Sequence, residues 1–258
     1  MASPEPFSLA RRLRAGETVH VGWATLGVPI LAEMLARDGF SAVNLDQQHG
    51  LFDQAGVIAG IAAVRAAGAA PIVRVPLGDF AYVSRVLDFG AEGVIAPMIN
   101  TAEDARAFAA AAKFPPIGER SWGPARALML NGLSMPDYLK QANDNVVTLA
   151  MVETRTALKN LDAILATPGI DGVFVGPSDL SIALSNGNTL DPHSKDVDST
   201  CEAIVAAARK AGKIAGAYTA GPERANEQAA RGFRFLAVGS DGAFMRAGTL
   251  AAVKGLKA

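Results

Sequence analysis

Eight short apolar runs, each followed by a segment of helix length, constrain this chain more than any other feature. The runs cover residues 20–26, 42–46, 71–75, 93–97, 146–153, 172–176, 214–218 and 235–239. They are apolar throughout, without a polar residue at every second place, which is the pattern of strands buried on both faces in a parallel sheet. Between them lie mostly alanine-rich segments with helical spacing, at 30–37, 54–67, 81–89, 102–112, 158–166, 199–211, 223–231 and 242–255. Gly39, Gly68, Gly90, Gly169, Gly212 and Gly232 stand where several of these helices would close. Eight β–α units in 258 residues predict an α/β fold, a single (β/α)8 TIM barrel forming one domain over residues 1–258. An open doubly wound sheet is the weaker alternative.

The regular spacing breaks between residues 113 and 145. FPPIGERSWGPARALMLNG is rich in Pro and Gly and too long for an ordinary connection, so a functional loop or an assembly element is expected there. A second irregular stretch, 184–198, is polar, follows Asp179 and is expected at the mouth of a site. The formal net charge of −1 argues against a nucleic-acid or anionic-membrane partner. MASPEPFSLARRLRAG at the N-terminus lacks the apolar centre of a signal peptide. No apolar run approaches the roughly 18 residues of a spanning helix. A cytoplasmic protein is therefore expected. The single cysteine, Cys201, excludes an internal disulfide and reads as a buried helix residue.

In a barrel, the groups that do chemistry stand just past the C-terminal ends of the strands. Those places hold Trp23, the stretch from Asp46 to His49, Arg74, Glu153, and Ser178 with Asp179. Each has a plain structural reading as well: packing for Trp23, a hydrogen bond for His49, an ion pair for Arg74, a helix cap for Glu153 or Asp179. Together they are chemically coherent. Glu153 and Asp179 follow consecutive strands and can converge, and two carboxylates with little positive charge between them invite a hard cation such as Mg2+ or Mn2+. Arg74 offers a fixed cation to a developing oxyanion. A histidine can move a proton near neutral pH. In GPSDLS, Gly176 permits close approach, and the N–H groups after Pro177 can face an anion such as a carboxylate. The set suits enolate chemistry beside a carbonyl. No lysine occurs at these strand ends, which disfavours Schiff-base chemistry. The chain has no CxxC, HExxH or GxSxG, and GWATLG lacks the spacing of a dinucleotide or P-loop fingerprint. His20 and His193, at a strand start and in the polar loop, read as non-catalytic.

Taken in order, GWATLG, LDQQHG, PIVRVP, LDFGAEGVIAPM, PPIGERSWGPARA, MVET and GVFVGPSDLS resemble the HpcH/HpaI aldolase family across residues 22–241. These are metal-dependent, class II pyruvate aldolases related to 4-hydroxy-2-oxoheptanedioate aldolase. The resemblance implies a (β/α)8 barrel assembled as a homohexamer, a trimer of dimers that exchange a C-terminal helix. It implies Glu153 and Asp179 as ligands of a divalent cation, Mg2+ or Mn2+ in the first place and Co2+ or Zn2+ as further options. His49 matches the catalytic base and Asp88 the acidic partner that orients it. Arg74 matches the group that steadies the enolate oxygen, and the backbone around Ser178 and Asp179 the hold on the substrate carboxylate. Trp23 and Asp46 match pocket residues. The implied reaction is reversible aldol cleavage of a 4-hydroxy-2-oxo acid to pyruvate, or hydroxypyruvate, and an aldehyde.

Two departures bear on substrate identity more than on reaction type. Gln48 stands where many members carry an acid before the histidine, and Met151 where many carry Gln. Three other readings remain. A lyase like citrate lyase or malyl-CoA lyase would need a CoA site that the sequence does not reveal. An enzyme like phosphoenolpyruvate mutase would need a more basic pocket. A catalytically silent barrel acting as a binding protein would show no metal-dependent proton exchange.

Overall fold

A computed structural model of the chain describes residues 7–256; residues 1–6 and 257–258 of the expected domain lie outside the described residues. The strands are β1 (Val19–Ala24), β2 (Ala42–Asp46), β3 (Ala70–Arg74), β4 (Gly93–Ala96), β5 (Val147–Met151), β6 (Gly172–Val175), β7 (Ile214–Thr219) and β8 (Phe235–Val238). They pair in sequence order, all parallel, and β8 returns to β1. The sheet is a closed (β/α)8 barrel, and the open alternative is excluded.

The uniform apolarity of the strands follows from their two covered faces. Side chains at alternate positions, such as Val19, Val21 and Trp23 of β1 or Leu149 and Met151 of β5, form one buried cluster inside the barrel. The intervening positions, among them Val43, Val73, Val94 and Val173, form a second cluster with the surrounding helices. Gly216 shows how tightly the interior is filled. A Cβ there would lie 2.9 Å from the Phe174 ring and 3.0 Å from the Phe235 carbonyl oxygen. Its absence admits both rings, which meet edge to face at 5.9 Å.

The helix Ser8–Arg14 closes the N-terminal end of the barrel with Leu9, Ala10 and Leu13, which join the inner cluster. Sequence patterning does not mark it, because arginines alternate with its three apolar contacts. Glu92 anchors it by accepting from the Leu9 amide at 3.0 Å, while Arg65 holds the other Glu92 oxygen at 2.7 Å.

Residues 113–145 are more regular than expected. They hold two helices, Ala125–Asn131 and Met135–Asn145. Ser134 caps the second by accepting from the Asp137 amide, and only Tyr138 and Ala142 of that helix are buried. A helix with two core contacts leaves a weak apolar stripe, so the Pro- and Gly-rich lead-in dominates the pattern. The helix expected at 158–166 is two short ones, Arg155–Lys159 and Leu161–Leu165. Cys201 is buried in the helix Lys195–Lys210, and burial pushes its thiol up to about 11, as fits a structural cysteine. Among the described residues, no helix is long and apolar enough to cross a membrane.

Candidate active site

A cavity of about 280 Å³ opens at the C-terminal ends of the strands and is lined by Trp23, Asp46, His49, Arg74, Ser178 and Asp179. The alternation of the barrel explains how the first of these arrive. Trp23 shares the inward face of β1 with Val19 and Val21, and Arg74 shares that of β3 with Ala70 and Ile72. Glu153 follows Met151 by two residues and so keeps its inward direction.

One half of the mouth is a rigid, paired unit. Arg74 donates from Nε to Asp46 Oδ1 at 2.8 Å and from Nη2 to Asp46 Oδ2 at 2.6 Å, and both residues are buried. Asp46 also accepts from the Trp23 indole at 3.3 Å and from the amides of Gln48 and His49 at 3.0 and 3.4 Å. The Arg74 guanidinium lies 5.0 Å from the centre of the Trp23 ring. That ring is itself stacked on Phe174 and met edge-on by Tyr218. Arg74 is therefore both an ion-pair partner and a pocket cation. Nη1 keeps only the Met151 sulfur, at 4.0 Å, and is free for a ligand.

The other half is frustrated. Glu153 is 1% exposed. Its Oε1 accepts from the Met98 amide at 3.3 Å, which the left-handed turn at Met98 (φ 55°) presents. Its Oε2 is buried with no hydrogen-bond partner. Burial first, and the nearby negative charge of Asp179 second, push the Glu153 carboxyl up to about 7. Asp179 and Ser178 are exposed in the first turn of the helix Pro177–Leu184. A Cβ on Gly176 would stand 2.2 Å from Glu153 Oε2, so the glycine makes the cradle in which that oxygen lies.

An orphaned carboxylate oxygen beside a second carboxylate fits a hard divalent cation. Among the described residues, no group of three or more His, Cys, Asp or Glu side chains is placed to hold a metal ion. Glu153 and Asp179 would thus supply two protein ligands and leave the remaining positions to water or substrate.

His49 is exposed at the rim, and its ring has no partner among the described residues. Asp88 does not join it. Asp88 lies on the helix Phe80–Phe89, away from the lining of the mouth, and accepts from Arg120 at 2.6 Å. The polar stretch 184–198 does not line this cavity either. Its Pro192 and His193 instead border a small side cavity with Pro177 and Ser178.

Four lining residues escape the sequence reading: Thr25, Phe174, Tyr218 and Ser240. Tyr218 was legible as a polar group near the end of β7 but is hidden in an apolar run. Burial raises its phenol above the ordinary range, and a hydrogen bond with Ser240 works the other way. Thr25 is positioned by Asp241, which accepts from its amide at 2.8 Å and its hydroxyl at 2.7 Å and ties β1 to the segment after β8.

Comparisons with known proteins identify the family and the fold. The profile of the HpcH/HpaI aldolase/citrate lyase family matches residues 20–247. A hydroxypyruvate/pyruvate aldolase of Rhizorhabdus wittichii is 39% identical over 232 residues, covering 90% of this chain and 91% of the relative. A 5-keto-4-deoxy-D-glucarate aldolase of Salmonella arizonae is 36% identical over 248 residues, covering 95% and 94%. The crystal structure of a family protein from Burkholderia cenocepacia superposes with a TM-score of 0.86 at 32% identity, covering 96% of this chain and 98% of the other. The chain belongs to the HpcH/HpaI aldolase/citrate lyase family and is an aldolase, a carbon–carbon lyase.

Proposed function

We propose that the chain is a divalent-metal-dependent aldolase acting on 4-hydroxy-2-oxo acids, with pyruvate or hydroxypyruvate as the released or added keto acid. The observation that carries this reading is the buried, unpartnered Glu153 Oε2, which feels the charges of both Asp179 and Arg74. The relatives named above, a hydroxypyruvate/pyruvate aldolase and a 5-keto-4-deoxy-D-glucarate aldolase, agree with it.

A cation held by Glu153 and Asp179 would polarise the keto group and favour its enolate. The protein's own groups do the rest. The amides of Ser178 and Asp179 precede the first helical bond, donated by Leu180 to the Gly176 carbonyl, and so face the mouth as donors to the substrate carboxylate. Arg74 Nη1 donates to the oxygen that becomes the enolate, while Asp46 fixes the plane of the guanidinium. In cleavage, His49 takes the proton of the 4-hydroxyl, the C3–C4 electron pair moves onto the keto-acid half, and an aldehyde leaves. Protonation at C3 then gives the methyl of pyruvate.

The decisive experiment follows pyruvate in D2O. Methyl protons should exchange only with a divalent metal present, and Glu153→Ala or Asp179→Ala should abolish the exchange. Exchange that persists in EDTA would show the metal assignment to be wrong.

Two further features extend the proposal to an assembly of copies, a homohexamer. Leu250, Val253 and Leu256 are exposed along and just past the helix Asp241–Lys254, a face more apolar than a monomer's surface calls for. Within one protomer Asp88 is held by Arg120 and does not line the mouth with His49, which leaves the pairing that the resemblance implies to a second copy. Replacing Leu250 and Val253 by Glu should reduce the assembly in light scattering; an unchanged mass would remove this helix from the interface.

A further inference from the structure

The opposite end of the barrel carries a cavity of about 450 Å³, larger than the mouth. Leu13, Val205 and Ile214 give it apolar walls, and four cations line it. The fold delivers each of them. Lys213 directly precedes β7, Arg234 directly precedes β8, Arg14 ends the helix Ser8–Arg14, and Arg209 lies in the last turn of the helix Lys195–Lys210.

The way these cations are held leaves their charge in place, and it is their convergence on one concavity that sets them apart from Arg155, which also donates only to carbonyls. Elsewhere Arg12, Arg37, Arg65, Arg74, Arg120 and Arg231 each face an Asp or Glu. Around this cavity the partners are neutral. Arg14 donates to the Asp144 carbonyl at 3.0 Å and to the Asn145 side chain. Lys213 donates to the Ile170 carbonyl at 2.6 Å, and Arg234 to the carbonyls of Ala229 and Phe233 at 3.0 and 2.9 Å. The Arg209 side chain packs over Gly232 and has no hydrogen-bond or ion-pair partner among the described residues. Carbonyl oxygens orient a cation without cancelling its charge. The one acidic lining residue, Asp171, is already engaged. Its Oδ2 accepts from Lys113 Nζ at 2.8 Å and from the amide and hydroxyl of Thr148 at 2.9 Å each. The helix dipole accounts for a cation at the place of Arg209. It does not account for Lys213 and Arg234 at strand starts on the same concavity.

We propose that this cavity binds a compact multivalent oxyanion, a metabolite rich in phosphate or carboxylate groups, on the barrel face opposite the aldolase mouth. Guanidinium forks match the paired oxygens of either group. The apolar walls strengthen the attraction by excluding water, and the volume lies in the range of small-molecule sites.

Calorimetric titration of the full-length protein with pyrophosphate and, separately, citrate tests this at constant ionic strength. Divalent metal is left out so that neither anion is chelated. Saturable binding at one anion per chain is expected for at least one of them, and which one distinguishes phosphate from carboxylate chemistry. Arg209→Glu should weaken it roughly tenfold, and adding Lys213→Glu should abolish it. Metal-dependent exchange of pyruvate protons should be unchanged in both variants, which reports that the barrel is folded. Should the double variant misfold, Arg209→Glu alone decides, because its side chain holds nothing else in place. The proposal is overturned if neither anion binds saturably at millimolar concentration, or if Arg209→Glu binds as tightly as the unaltered protein.

Discussion

Gly176→Ala isolates the proposed metal cradle from every other feature of the mouth. The backbone at Gly176 has φ −91° and ψ 97°, an extended conformation that alanine adopts without strain. The substitution therefore acts only through its methyl group. That methyl would stand 2.2 Å from Glu153 Oε2 and 3.2 Å from the terminal carbon of Met151. Ordinary contact begins near 3.4 Å, so the carboxylate must retreat by roughly 1 Å. Glu153 is buried and held at Oε1 by the Met98 amide, which leaves it little room to retreat and still face the cation. A misplacement of about 1 Å at a reacting centre costs on the order of 10²-fold in rate. A perturbed ligand shell lowers metal affinity about 10- to 100-fold. The assay pairs metal titration by calorimetry with metal-dependent proton exchange into pyruvate. Both should fall by about two orders of magnitude, with the melting temperature of the metal-free protein within a few degrees of its original value. If Gly176→Ala keeps full metal affinity and exchange, Glu153 Oε2 is not a metal ligand.

The Glu153 carboxyl is raised from 4.5 to about 7, so the metal-free folded state binds a proton there that the unfolded chain has released. This favours folding below about pH 4.5 and is lost as pH rises through about 7, a change on the order of 3 kcal/mol in denaturant titrations. The same proton competes with the cation, so metal affinity should fall up to about tenfold per pH unit below 7, with proton release on binding; a flat profile would contradict it. Arg74→Lys should lose about 10²- to 10³-fold in turnover, because an ammonium cannot hold Asp46 in two places and still donate to the enolate oxygen. Full turnover in that variant would remove Arg74 from the reaction.

The barrel is legible in the sequence because burial on both strand faces imposes a pattern that few other folds produce. The same alternation then carries Trp23, Asp46, Arg74 and Glu153 inward at strand ends, so most of the mouth follows from knowing where the strands stop. What the strand pattern does not carry is what depends on backbone detail or on a distant neighbour. Glu153 Oε1 is held because Met98 turns left-handed and presents its amide, while Oε2 is left without a partner, and nothing in GVIAPM announces either. Tyr218 is read as one more apolar strand residue, although its hydroxyl reaches the mouth. Asp88 is assigned by resemblance alone, and a single copy gives it to Arg120. The helices at 125–131 and 135–145 bury too few residues to print a stripe.

Arg74 and Asp46 neutralise each other at 2.6 Å, which leaves Asp179, and Glu153 once pH passes about 7, as the uncompensated charges. A 2-oxo acid brings a further carboxylate. At a separation of about 5 Å and an effective dielectric constant near 20, each like-charge pair costs roughly 3 kcal/mol. The free Nη1 of Arg74 and the first-turn amides offset part of this, but Arg74 has already spent most of its field on Asp46. Keto acid and cation must then bind with strong mutual support, since the cation reverses the sign of what the carboxylate meets. Linkage makes the effect reciprocal. Pyruvate should bind at least about tenfold more tightly with metal present, and the metal should gain the same factor from pyruvate. Calorimetric titration around all four legs of the cycle measures both. Equal pyruvate affinity with and without EDTA would mean that Arg74 and the helix amides hold the keto acid unaided, and that Glu153 and Asp179 serve something other than a metal.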